Sequence, residues 1–169
     1  MTDAGRYSVL HEAARDLLTE LSRDYAVELV TGLTVDEDLA GRAETTATVR
    51  LQPSSGAGAP ITLAFTTFPG LLVRFGNWQV QAHPSCGCDA CDERPEDLIE
   101  RLREQVKLLL VGEGFTETLT HGPRRSRLTM EAGGLRTETT LLREDGRQLG
   151  EAEVVVWPPW TAARPATER

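Results

Sequence analysis

The hydrophobic pattern changes its period along the chain, and this change constrains the fold more than any other feature. Apolar residues first recur every three or four positions, which predicts a helix from about Tyr7 to Tyr25. A second helical stripe begins at Pro95, a residue favoured in a first helical turn, and ends at Gly112 or Gly114. Each helix is followed by runs in which apolar residues alternate with polar ones, as in strands.

The alternating runs predict short strands that are adjacent along the chain. They cover residues 45–51, 61–65, 71–75, 78–82, 115–120, 128–130, 135–141 and 152–156. Gly76-Asn77 predicts a two-residue hairpin turn, after which Trp78, Val80 and Ala82 continue the alternation. Short turns between consecutive strands favour antiparallel pairing, so the predicted class is α+β, in the order helix, strands, helix, strands. We expect one domain over residues 1–160 and a flexible tail over residues 161–169.

Composition narrows the class of partner. The chain has 169 residues, a formal charge of -8 and a sequence pI of about 4.9. Nucleic acids and anionic membranes attract clustered cations, so neither is an expected partner. No run of about 20 apolar residues is present to span a bilayer, and the first ten residues do not resemble a secretory signal. All three cysteines lie between Cys86 and Cys91, which argues against a disulfide framework and favours the cytoplasm.

The cysteines form the one sharp chemical motif, C-x-C-x-x-C at Cys86, Cys88 and Cys91. Thiolates are preferred ligands of zinc, and Gly87 allows the tight turn that would bring two sulfurs to one ion. A structural zinc has four ligands, and His83 would complete the set. The remaining candidates for the fourth position are Asp92, Glu93, His11 and His121.

Three interpretations of the motif stay open from the sequence. The first is a structural zinc in a non-catalytic interaction domain with a protein partner. The second is an enzyme, by thiol redox chemistry at Cys88 and Cys91 or by hydrolysis at a zinc with an open position. The third is a metal-free interaction protein. Neighbouring carboxylates disfavour a reactive thiolate but are compatible with a bound cation, and no nucleophile elbow or phosphate loop is present, so we expect no catalytic residues.

The segment Cys-Gly-Cys-Asp-Ala-Cys-Asp-Glu, residues 86–93, resembles the signature of an uncharacterised bacterial family known only as a domain of unknown function. The similarity extends upstream to residues 65–73 and downstream to the helix at 98–111 with its glycine exit. The 157–160 ending and the helix at 10–24 are also similar. The family usually has an apolar residue where this chain has His83, so the resemblance gives weight to Asp92, Glu93 or an open coordination position. It implies a fold and a motif but no reaction.

Overall fold

The computed structural model describes residues 4–33, 43–86, 93–142 and 150–163. A 3-10 turn (Ala4–Tyr7) leads into helix α1 (Ser8–Asp24), and helix α2 (Pro95–Val106) continues as a π-helical stretch (Lys107–Gly112). The strands are β1 (Val27–Thr31), β2 (Thr45–Pro53), β3 (Ile61–Thr66), β4 (Leu71–Phe75), β5 (Gln79–His83), β6 (Phe115–His121), β7 (Arg125–Ala132), β8 (Leu135–Leu142) and β9 (Ala152–Trp157).

The strands form two antiparallel sheets. The first contains β1 to β5 in chain order, and the second has the order β8-β7-β6-β9. Each strand is antiparallel to its neighbours, which confirms the predicted α+β class. Neither described helix combines the length and the hydropathy that crossing a bilayer requires.

One hydrophobic core joins both helices to one face of the first sheet. Helix α1 buries Leu10, Ala14, Leu17, Leu18 and Leu21, the stripe that its sequence predicts. The second helix contributes a matching stripe, and the first sheet contributes alternate residues of β3 and β4: Ile61, Leu63, Phe65, Leu71, Val73 and Phe75. Phe115 and Met130 extend this core to the second sheet.

The predicted two-residue turn between β4 and β5 is wrong. Phe75 pairs with Gln79, so the turn contains three residues, Gly76, Asn77 and Trp78. The extra residue reverses the faces of β5, because side chains of directly paired residues lie on the same side of a sheet. The polar residues Gln79, Gln81 and His83 therefore share the face of Phe75, Val73 and Leu71, whereas Val80 and Ala82 pack with Ala64 and Leu72 on the opposite face.

A distant carboxylate holds this turn. Glu117 on β6 is fully buried and accepts hydrogen bonds from the backbone N–H groups of Asn77 (2.9 Å), Trp78 (3.1 Å) and Gln79 (3.2 Å). The indole Nε1 of Trp157 donates a fourth, at 2.8 Å. The turn thus depends on a contact between the two sheets, which its local sequence does not reveal.

Strand β1 and the chain end were not anticipated in this form. Four of the five β1 side chains are exposed, so Val27–Thr31 has no apolar alternation and is a strand because it pairs with β2. Residues 161–163, which begin the predicted tail, are hydrogen-bonded to the end of α1: Thr161 accepts from Ala26, and Ala163 donates to Asp24. Residues 164–169 lie outside the described residues.

Candidate metal centre at the cysteine loop

The candidate site lies where β5 ends, on the side of the first sheet that faces the helices. His83 is the last residue of β5 and pairs with Leu71 at the start of β4. Helix α2 lies along the same strand, as the hydrogen bond from Gln105 to Gln81 (2.7 Å) shows. Cys86 follows three residues later and is partly buried, and Cys88, Cys91 and Asp92 lie outside the described residues.

His83 is a buried histidine without a hydrogen bond. Its exposed fraction is 3%, and neither Nδ1 nor Nε2 has a hydrogen-bond partner in the part of the chain that the structure describes. Burial lowers the pKa of the imidazole, the positive charge of Arg101 lowers it further, and Glu93 opposes both. His83 is therefore held in the neutral form, which is the form that coordinates a metal.

Glu93 closes the base of the cysteine loop. Its Oε2 accepts hydrogen bonds from the Ser85 backbone N–H (2.8 Å), the Ser85 hydroxyl (2.9 Å) and the Cys86 backbone N–H (3.3 Å). Arg101 Nη1 lies 3.7 Å from Oε1. Burial raises the pKa of this carboxyl, but the hydrogen bonds from Ser85 and Cys86 and the charge of Arg101 outweigh burial and lower it.

These contacts place the two ends of the segment together. Residues 87–92 leave the fold at Cys86 and return at Glu93, and the Glu93 carboxylate is bonded to the Cys86 amide. The backbone carbonyl of Glu93 in turn accepts a hydrogen bond from the Tyr7 hydroxyl (3.1 Å), which is buried against the start of α1. Glu93 thus has a loop-closing role, and Oε2, with three donors, is a poor candidate for the fourth metal ligand.

The other two histidines have partners. His11 on α1 donates from Nε2 to the carbonyl of Gly70 (2.9 Å), and its ring meets the Phe65 ring edge-on at 5.2 Å. His121 on β6 is hydrogen-bonded at both nitrogens, to Ser126 Oγ (2.8 Å) and to Glu153 Oε1 (3.1 Å). One of those bonds uses the lone pair that a metal would need, so His121 is not suited to the site as it stands.

The His121, Ser126 and Glu153 contacts form a second polar cluster that the sequence did not indicate. They resemble the group types of a hydrolase triad, but Ser126 is only 4% exposed and is therefore a poor nucleophile for a substrate. The spacing of five residues between His121 and Ser126 carries no recognisable signal, since the pair meets only across the β6–β7 hairpin. No group of three or more metal-ligating side chains occurs among the described residues, which exclude Cys88 and Cys91.

The comparisons with known proteins identify a family but not an activity. The chain has no significant match among curated proteins or among solved structures. A model for the family of unknown function DUF6226 matches residues 1–164, which is nearly the whole chain. The chain therefore belongs to the family of unknown function DUF6226.

Proposed function

We propose that the chain is a non-catalytic, cytoplasmic interaction domain in which one zinc ion orders the cysteine loop. Cys86, Cys88, Cys91 and His83 supply the four ligands. The observation that carries the proposal is His83, a buried neutral imidazole with no hydrogen bond, located three residues before the first cysteine. An unpaired buried polar group costs about 1–3 kcal/mol, and metal coordination through one nitrogen would offset much of that cost.

The closed loop supports the same proposal. Three thiolates can reach one ion only if the segment from Cys86 to Cys91 folds back on itself. Glu93 favours such a path, because it joins the chain leaving at Cys86 to the chain returning two residues after Cys91. Bound zinc would then fix the end of β5 to the start of α2 and stabilise the folded chain.

Metal analysis of untagged protein purified without chelator tests the proposal. We expect about one zinc per chain, and we expect Cys86→Ser to lose it together with thermal stability. The three histidines provide matched variants. His83→Gln should lose or weaken zinc binding, whereas His11→Gln and His121→Gln should keep it, because the structure gives those side chains hydrogen-bond partners.

Each alternative gives a different result. Metal-free protein with a reversible disulfide between Cys88 and Cys91 would replace the structural zinc by redox chemistry. Zinc held with an exchangeable water in the fourth position would favour a hydrolytic centre instead. Metal-free protein that stays equally stable after replacement of all three cysteines would overturn both zinc and redox proposals. Loss of zinc in His11→Gln, with retention in His83→Gln, would overturn the ligand assignment.

A further inference from the structure

The outer face of the second sheet combines arginines with exposed valines. Arg125 and Arg127 on β7 and Arg136 on β8 share this face with Arg124 of the β6–β7 turn. These four residues, here called the arginine face, line a groove of about 850 Å³ together with Thr118 and Thr120 of β6.

The arginine face is only partly neutralised by its own sheet. Arg127 Nε lies 3.1 Å from Glu138 Oε1, and Arg136 Nη1 lies 3.3 Å from Glu131 Oε1. Arg124 and Arg125 are exposed and have no carboxylate within ion-pair distance in the described part of the chain. A local excess of positive charge on a chain of net charge -8 indicates complementarity to an acidic ligand.

A row of apolar side chains runs beside the groove. Val154 and Val156 on β9 are 59% and 70% exposed, and they pair with Thr118 and Thr116 on the same face. Adjacent strands lie about 4.8 Å apart, so the β9 valines and the β7 arginines are separated by about 10 Å. Three residues of an extended chain span the same distance, since each residue advances about 3.3 Å.

We propose that the outer face of the second sheet binds an extended acidic segment of a partner protein. Glutamate or aspartate side chains pair with Arg124 and Arg125, and apolar side chains about three residues away contact Val154 and Val156. The negative charge of the whole chain opposes approach by long polyanions or anionic vesicles, which favours a short segment with an apolar part. This inference rests on the interaction role within the proposed function, but not on zinc.

The test is a titration of ¹⁵N-labelled full chain, monitored by amide chemical shifts. The probe is a ten-residue peptide in which paired glutamates recur three residues from valines, and the control peptide carries lysine in place of glutamate. We expect saturable shifts at the amides of Thr118, Thr120, Arg125 and Val154 with the first peptide and none with the second. Raising NaCl from 50 to 300 mM should weaken binding, because the charged contacts are exposed.

Paired charge reversals locate the site. Arg124→Glu with Arg125→Glu should weaken the peptide about tenfold or more, since two attractive charges become repulsive. Arg23→Glu with Lys107→Glu makes the same change in net charge on the helices, where both residues are exposed, and should leave binding unchanged. All four side chains are exposed, so the melting temperature checks that each variant is folded.

Several results would overturn the inference. They are shifts on another surface, equal binding of the lysine peptide, binding unaffected by the Arg124 and Arg125 reversal, or tighter binding of a single-stranded oligonucleotide than of the acidic peptide. Concentration-dependent shifts at the same amides without peptide would assign the face to a second copy of the chain. Zinc content measured on the same samples separates the two proposals, because peptide binding by metal-free protein would leave this one standing and remove the zinc.

Discussion

Glu117→Gln keeps the size of a fully buried side chain but removes half of its hydrogen-bond acceptors. The carboxylate accepts four hydrogen bonds, two at each oxygen: Asn77 and Trp157 at Oε2, Trp78 and Gln79 at Oε1. Glutamine places an NH₂ group where one oxygen stood, so two N–H donors face another donor whichever way the amide is turned.

The expected cost follows from those two lost bonds. Hydrogen bonds to a charged group contribute about 1.5–3 kcal/mol each, so Glu117→Gln should lower the free energy of unfolding by about 3–6 kcal/mol. A domain of this size has a total of about 5–15 kcal/mol. A shift of about 2–4 °C for each kcal/mol then predicts a melting temperature lower by about 6–24 °C.

Urea denaturation followed by tryptophan fluorescence measures the effect, because Trp78 and Trp157 both contact the carboxylate through their N–H groups. Glu104→Gln on the exposed side of α2 is the matched control, with an expected change within about 0.5 kcal/mol. Combining Glu117→Gln with Trp157→Phe should cost less than the sum of the single changes, since both remove one contact. A cost below about 1 kcal/mol for Glu117→Gln would refute the view that this carboxylate holds the sheets together.

Three other changes test neighbouring contacts. Gly76→Ala should strongly destabilise the hairpin, because Gly76 has φ +64° and a Cβ there would lie 2.8 Å from Trp157 Nε1; Gly56→Ala, at φ +71° with nothing within 4 Å, is the control, and equal unfolding midpoints would contradict the steric argument. Trp160→Phe removes the buried donor to the Ala59 carbonyl (2.8 Å) and should cost about 1–3 kcal/mol by thermal unfolding; no loss would mean that another donor replaces it. Arg103 lowers the pKa of Glu20 from 4.5 through a hydrogen bond of 2.7 Å, so the pair stabilises the fold above that pH and is lost as pH falls through the lowered pKa. Arg103→Gln should return the Glu20 pKa to its ordinary value in a carboxyl NMR titration, and an unchanged pKa would contradict the assignment.

Local pattern predicted most of the secondary structure. The leucine stripe of α1 and the Pro95 start of α2 appear as expected, because an amphipathic period and a proline at the first turn act within one element. The turn at Gly133-Gly134 between β7 and β8 also forms, since both glycines have positive φ. Strand β1 was missed because exposure of nearly all its side chains leaves no alternation to detect.

The candidate site was predicted in part. The sequence identified His83 and Cys86 from residue type and spacing. It also predicted ligand roles for Cys88 and Cys91, which lie outside the described residues and remain predictions. It could not show that His83 lacks a hydrogen bond or that Glu93 closes the loop, since both depend on which groups the fold brings near.

The sequence by itself determined the α+β class, the two helices and the motif at Cys86, because hydrophobic period and cysteine spacing are properties of short segments. The tertiary structure decided which face of β5 meets the helices. Glu117, 40 residues beyond the turn, holds three residues in that turn instead of two, and one added residue reverses every side chain that follows. That reversal, set by a buried carboxylate on the other sheet, is the reason His83 lies under the helices beside the cysteine loop.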